Sequence, residues 1–260
     1  MVYVIAEAGI AHEGSQENME HLASTCFRAG ADALKIQWFK KGLRGPGREL
    51  PWIGPDVIDD LISRCHEEET DFIITPHDEW AIEEIINNGW VLDAVKIGSG
   101  GWDLIPFARE IGPPLIISTG MKTQEEVSNL ELCSDDTILH CVSEYPCPAH
   151  RANIGYLYTL ADMAYRTPVN WNIRIGYSDH CSGTAVALAS LLIGEVIEKH
   201  ITIEKNIEGK QDTWCALDRE EFIQFVHDAH EVSSASISRE KRPTMGEIET
   251  AKWLAQRLAN

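Results

Sequence analysis

Two histidines close consecutive apolar-alternating runs, His180 at the end of "NIRIGYSDH" (172–180) and His200 in "EVIEKHI" (195–201). A lone histidine at a strand end is an ordinary solvated or structural residue. Two on neighbouring strands make a ligand pair for a divalent metal as reasonable a reading as two structural residues. Two lysines sit in similar runs. In "ALKIQWF" Lys35 and Gln37 alternate with Leu34 and Ile36, and in "AVKIGS" Lys96 shares a face with Ala94 and Gly98. Side chains alternate across a strand, so these lysines point away from the apolar, helix-packed face. Inward-facing cations are costly unless they meet an anion. Ser99, Ser118 and Ser178 end three further runs. Singly each is a turn residue; near two cations they suggest a cradle for phosphate or carboxylate. Glu7, in the first run, adds a carboxylate able to act as base or to position water.

The same parity sorts the neighbours. Glu198 and His200 share a face opposite Ile197 and Ile201, so His200 faces inward and Lys199 outward, away from the chemistry. Ser178 and His180 share a face, and Asp179 between them reads as an orienting or turn residue rather than a ligand. His140 reads as a core histidine.

Such residues converge only if the runs lie side by side. The predicted strands are 2–8, 32–38, 71–75, 93–98, 114–118, 136–143, 172–177 and 195–201. The helices between and after them are 15–29, 55–69, 78–89, 102–111, 122–132, 153–166, 181–193 and 218–236. Strict alternation argues for βα units and a parallel sheet. The even count and the length of 260 residues favour a closed (β/α)8 TIM barrel over an open doubly wound sheet. Residues 1–236 form this catalytic domain. Residues 237–260 form a C-terminal helical extension, with a helix over 246–258, expected to pack on or near the barrel. Helix starts are signalled at Ser15, at Thr123 with Glu126, and at Asp218 with Glu221.

With 22 basic and 41 acidic residues the formal charge is −19, which disfavours nucleic acid and anionic lipid as partners. An anionic substrate then needs local cations. No apolar run approaches a membrane span, and the N-terminus lacks the basic start of a signal peptide. The expectation is a cytoplasmic protein. The seven cysteines include no C-x-x-C pair, which indicates reduced, buried thiols.

Read in order, "IAEAGIAHEG" (5–14), "GADALKIQWFK" (30–40), "TPHD" (75–78), "VKIGSG" (95–100), "ISTGMKTQEEV" (117–127), "LHCVSEYPCP" (139–148), "IGYSDHCSG" (175–183) and "VIEKHITIEKNIEG" (196–209) resemble the N-acetylneuraminate (sialic acid) synthase family. Each motif is weak alone; together, each at a strand end, they are specific. The resemblance implies metal-dependent condensation of phosphoenolpyruvate with an N-acylated hexosamine aldehyde, giving a nonulosonic 2-keto acid and phosphate. It implies a divalent metal, manganese before magnesium or cobalt, on His180 and His200. It places phosphoenolpyruvate on Lys35, Thr75, Lys96, Ser99, Ser118 and Ser178, and the acceptor sugar on Gln37, Tyr145 and Asp212. The family's N-terminal motif glutamate matches Glu7.

Four features depart from the family pattern. Gly101 stands where a glutamate usually follows the fourth strand. Glu144 replaces an asparagine before "YP", and is counted with the substrate contacts. "DTWCAL" (212–217) keeps Asp212 but loses a histidine and a serine. The C-terminal antifreeze-like domain of many members does not appear before Asn260. The donor half is therefore expected intact and the acceptor half altered. A homodimer, or a separate protein supplying that domain, is left open. So are three alternative readings. One is a related synthase for a phosphorylated aldose using Arg44, Arg48 or Arg151. Another is a non-catalytic ligand- or partner-binding barrel. The last is an aldolase with a Schiff base on Lys96.

Overall fold

β-branched and aliphatic residues fill eight short runs, and each run becomes one strand of a closed parallel barrel. The computed structural model describes residues 2–45, 48–168, 171–235 and 242–258. The strands are β1 (Tyr3–Gly9), β2 (Ala33–Trp38), β3 (Asp71–Pro76), β4 (Ala94–Ile97), β5 (Leu115–Ser118), β6 (Thr137–Cys141), β7 (Arg174–Asp179) and β8 (Val196–His200). Each pairs with its sequence neighbours, and β8 closes on β1.

The principal helices are α1 (Gln16–Ala29), α2 (Pro55–Glu67), α3 (Glu79–Asn88), α4 (Ile105–Ala108), α5 (Gln124–Ser128), α6 (Tyr156–Arg166), α7 (Ala185–Ser190) and α8 (Arg219–Ala235), with α9 (Met245–Leu258) in the extension. Ser15 accepts from Asn18 N at the start of α1, and Thr123 with Glu126 forms a capping box on α5. Asp218 and Glu221 exchange side-chain-to-backbone bonds at the start of α8. These side chains satisfy amides that have no partner within the helix. No helix among the described residues is long and apolar enough to cross a membrane.

Parity builds two layers inside the barrel. Ile5, Ala33, Ile73, Ala94, Ile116, Leu139 and Val196 fill the lumen with apolar side chains. Two residues further along each strand the inward position is Glu7, Lys35, Thr75, Lys96, Ser118, Cys141 or Glu198. The outward positions, such as Leu34, Ile36, Phe72 and Ile74, join the large cluster beneath the helices. Gly176 completes the lower layer, where an added Cβ would lie 2.0 Å from Val196 O. The site thus stands on a packed floor, at the carboxyl end of the strands.

Beneath that floor, aspartates tie strand starts together in pairs. Asp32, before β2, accepts Val4 N of β1. Asp93, before β4, accepts Phe72 N of β3. Asp136, before β6, accepts Leu115 N of β5 and holds Arg109 through both carboxylate oxygens.

Several predicted bounds shift. Strand β7 runs 174–179 instead of 172–177, because Ser178 and Asp179 pair with Glu198 and Lys199 of β8. β6 stops at Cys141 rather than 143. The predicted helix 102–111 is a short α-turn flanked by 3-10 turns, beginning near Pro106 and stopped by Gly112 and two prolines. The helix over 122–132 keeps only α5, as Asn129 N folds back on Glu125 O and Glu126 O. The one over 181–193 keeps only α7, because Cys181–Thr184 form a turn containing Gly183 with φ +75°. The terminal helix forms, and its described side chains are exposed, Trp253 among them. Residues 236–241 and 259–260 of these predicted segments lie outside the described residues.

Candidate active site

Glu7, Lys35, Gln37, Thr75, Lys96, Ser99, Ser118, Tyr145, Ser178, His180 and His200 all line one cavity of about 410 Å³ at the barrel mouth. The register places them. Glu7 of β1 lies beside both Lys35 of β2 and His200 of β8, and Ser178 of β7 lies beside Glu198. Lys35 Nζ is 2.6 Å from Glu7 Oε2 and donates to Thr75 Oγ1 at 3.1 Å. Lys96 Nζ donates to Ser118 Oγ at 2.8 Å.

Between the lysines stands Glu198, 3.6 Å from Lys35 and 3.7 Å from Lys96, accepting from Ser178 Oγ at 2.7 Å. Burial works against its charge, but the two lysines and Ser178 outweigh it and hold Glu198 below the usual carboxylate range. Burial likewise opposes the charge on Lys35, yet Glu198 and Glu7 raise it above the normal lysine value. Lys96 is different: burial, with the neighbouring Lys35 charge, leaves it lowered despite Glu198. Two buried cations thus share two carboxylates, with hydroxyls around them. A multiply charged anion can take over these partners.

Beside Lys96 the wall is built on backbone. A Cβ at Gly120 would lie 2.5 Å from Ser143 Oγ, 2.6 Å from Ser99 Oγ and 2.8 Å from Cys141 Sγ. Only glycine leaves these three side chains together. Met121, next along, takes a left-handed φ of +62°, which turns the chain sharply around the cavity.

The histidines meet across the mouth, with ring centroids 5.6 Å apart. His180 Nδ1 lies 2.7 Å from Val142 O. A hydrogen bond to a carbonyl puts the proton on Nδ1 and leaves the Nε2 lone pair free. That Nε2 lies 3.5 Å from Ser178 Oγ. Burial, reinforced by His200, lowers the His180 pKa to about 3, so the ring is neutral, the form that binds metal. Tyr145 packs on His180 at 4.1 Å between centroids. These two imidazoles fit a divalent ion, with its remaining positions left to oxygen ligands.

Behind the histidines, Lys199 points outward as parity predicts. Its Nζ donates to Asp179 Oδ2 and Cys181 O, both at 2.6 Å, in a fully buried pair. Asp179 Oδ1 accepts from Cys181 N at 3.0 Å, which makes it the expected orienting and turn residue. His140 is buried and bonds Ala152 O at 2.9 Å, as a core histidine does.

Two expected contacts fall elsewhere. Glu144 turns away from the main cavity and pairs with Arg151 at 3.0 Å. Its neighbours Ser143 and Tyr145 take the inward positions along this segment. Asp212 lines an adjoining cavity of about 260 Å³, which shares His200 with the first. Gly101 lines the main cavity, with ordinary clearance for a Cβ. Glu198, Cys141, Ser143 and His77 are polar lining residues missing from the sequence-based assignment. Glu198 shares its face with His200, and Cys141 with Leu139, so parity held the signal for both.

Fold and site together define a closed (β/α)8 barrel whose mouth joins two buried lysines to a histidine pair. The NeuB family profile matches residues 52–241, and the chain belongs to that family, the sialic acid synthase-like one its motifs resemble. An uncharacterized protein of Methanocaldococcus jannaschii is 32% identical over 94% of this chain and 75% of its own length. N,N'-diacetyllegionaminic acid synthase of Campylobacter jejuni is 28% identical over 89% of this chain and 76% of its own. The crystal structure of the spore coat polysaccharide biosynthesis protein SpsE of Bacillus subtilis superposes with a TM-score of 0.75 at 27% identity, covering 95% of this chain and 76% of that one. The N-acetylneuraminic acid synthetase of Leptospira borgpetersenii, crystallised with citrate, gives 0.79 at 24% identity over 97% and 90%, a likeness of fold.

Proposed function

We propose that the protein condenses phosphoenolpyruvate with the open-chain aldehyde of an N-acylated hexosamine, forming a nonulosonic 2-keto acid and releasing phosphate. The observation that carries this reading is the pairing of Lys35 and Lys96, both buried and both beside Glu198, in the cavity that also holds His180 and His200. The relatives named as legionaminic acid and N-acetylneuraminate-9-phosphate synthases support it.

Lys35, Lys96, Thr75, Ser99, Ser118 and Ser178 hold the donor's phosphate and carboxylate by charge and hydrogen bonding. Gln37, Tyr145 and Asp212 face the acceptor. C3 of the enol forms the new bond to the aldehyde carbon, whose oxygen gains a proton. Water adds at C2, and the resulting tetrahedral centre expels phosphate through C–O cleavage. The balance is donor plus aldehyde plus water, giving keto acid plus phosphate. Glu7, steered by Lys35 and Gln37, is the carboxylate placed to accept the proton from that water. A divalent ion on His180 and His200, manganese by preference, would supply Lewis-acid polarisation of the aldehyde. Holding both substrates in one cavity contributes much of the rate.

The test is phosphate release from phosphoenolpyruvate with manganese and a panel of N-acylated hexosamines. No release with any of them, while metal and donor both bind, overturns the reading. Borohydride trapping with pyruvate checks the rival Schiff base, which the lowered pKa of Lys96 would favour.

A further inference from the structure

His77 follows β3, lines the main cavity and has no part in the condensation as proposed. Its amide donates to Trp38 O at 3.0 Å, one step beyond the β2–β3 ladder, so the parity of the strand continues through it. The next residue fixes this seat. Asp78 accepts from Lys40 N at 3.2 Å and caps α3 through Ala81 N at 2.8 Å. The imidazole packs edge-on to Phe39, with ring centroids 6.1 Å apart. Neither ring nitrogen has a hydrogen-bond partner among the described residues.

Alternate strands of an eight-stranded barrel contribute side chains to one layer. Glu7, Thr75, Ser118 and Ser178, from β1, β3, β5 and β7, make such a layer. Two residues further along come Gly9, His77, Gly120 and His180. β3 and β7 stand opposite each other in the ring. With glycine on the strands between, His77 faces His180 across the mouth, above the two lysines. Enclosure in the mouth, then the charges of Lys35 and Lys96, lower its pKa to about 4 against the pull of Asp78 and Asp212. The neutral ring offers one donor and one acceptor. The adjoining cavity has no such free group on its loops. There the β1–α1, β2–α2 and β8–α8 loops meet where Arg48 Nη1 and Lys210 Nζ each lie 2.9 Å from Glu13 Oε2. With Asp212 on the same wall, two cations face two carboxylates and the charges balance.

From this arrangement we infer that His77 is a specificity-determining contact for the acceptor: it hydrogen-bonds an uncharged hydroxyl or amide beside the aldehyde, on the side away from the histidine pair. The inference rests on the proposed condensation, which sets the aldehyde by His180 and His200 and the donor on the lysines below. A neutral imidazole offers no counter-charge to an ammonium or a second anion, so the group it reads is uncharged.

Steady-state kinetics with manganese compares wild type, His77→Phe and His77→Gln on N-acetylmannosamine, mannose and 2-deoxyglucose. These sugars carry an amide, a hydroxyl and neither at the carbon beside the aldehyde. His77→Phe keeps a ring against Phe39 and removes both nitrogens. It should raise KM for the sugar bearing the contacted group about five- to tenfold, as loss of one hydrogen bond provides, and leave KM for phosphoenolpyruvate within about twofold. The preference over 2-deoxyglucose should shrink by the same factor. His77→Gln retains a donor and an acceptor and should recover most of the loss. Equal losses on all three sugars, a rise confined to phosphoenolpyruvate, or no change overturns the inference while leaving the synthase reading intact. If no sugar turns over with the wild type, calorimetry on the protein loaded with manganese and phosphoenolpyruvate decides. Binding of N-acetylmannosamine that His77→Phe weakens supports the inference; unchanged binding, or none, overturns it.

Discussion

Replacing Glu198 with glutamine removes one charge and little volume, and it separates the effect of that charge from packing. Glu198 Oε2 lies 3.6 Å from Lys35, and Oε1 lies 3.7 Å from Lys96. At an effective dielectric of about 20, each contact is worth about 4.5 kcal/mol gross. Burying the carboxylate costs several kcal/mol. Without the charge, Lys35 retains Glu7 and Lys96 retains only the Ser118 hydroxyl, and both stay buried. The net loss expected for stranding such cations is about 3–5 kcal/mol, a fall of about 10 °C in melting temperature for a chain of this size. Urea denaturation of wild type and Glu198→Gln measures it. The pKa of Glu198 is lowered in the fold, so its contribution is present above about pH 4.3 and lost as pH falls through the lower folded value. The difference between the two proteins should therefore narrow in acid. Phosphoenolpyruvate, bringing negative charge to the same lysines, should stabilise the mutant more than the wild type. A mutant within about 1 kcal/mol of wild type, or with no larger ligand response, would refute the idea that Glu198 balances this site.

Gly120→Ala should cost donor binding more than folding, because its Cβ must displace Ser99, Cys141 and Ser143; a raised KM for phosphoenolpyruvate checks this. Lys199→Met strands the buried Asp179 and should destabilise the chain by about 3–5 kcal/mol, while Lys199→Met with Asp179→Asn should recover much of that; denaturation of the three variants measures the coupling. His12 is buried, accepts Gly14 N on Nδ1, and has its pKa lowered by burial to about 4. The unfolded chain binds that proton near pH 6.5, so stability should fall by about 3 kcal/mol as pH drops from 6.5 to 4. His12→Asn should remove this part of the slope in urea titrations at several pH values.

The barrel and the inward placing of its buried lysines were legible because one rule covers both. Period-two alternation that buries Leu34 and Ile36 outside sends Lys35 inward, and the same parity sends Lys199 out. Glu198 has no local signal beyond sharing a face with His200; only the closed barrel brings it across the lumen to two lysines on non-adjacent strands. Glu144 was placed by its motif rather than by parity, and the loop turns it outward. The short α4, α5 and α7 were over-extended, since local apolar content continues past turns that backbone bonds close. The cluster of Glu13, Arg48 and Lys210 joins residues up to 197 positions apart, and no local pattern announces it.

The Lys199–Asp179 pair has a consequence for how this site can change. It stitches the backs of β7 and β8 beside both histidines, in full burial, so the geometry around the histidines is held by the core itself. On the opposite flank, three surface loops meet at one half-exposed carboxylate. Substitutions there shift a wall without disturbing the barrel. The scaffold thereby divides its mutational tolerance: a fixed half behind the histidines, and a pliable rim where the cavity wall can be varied at small structural cost.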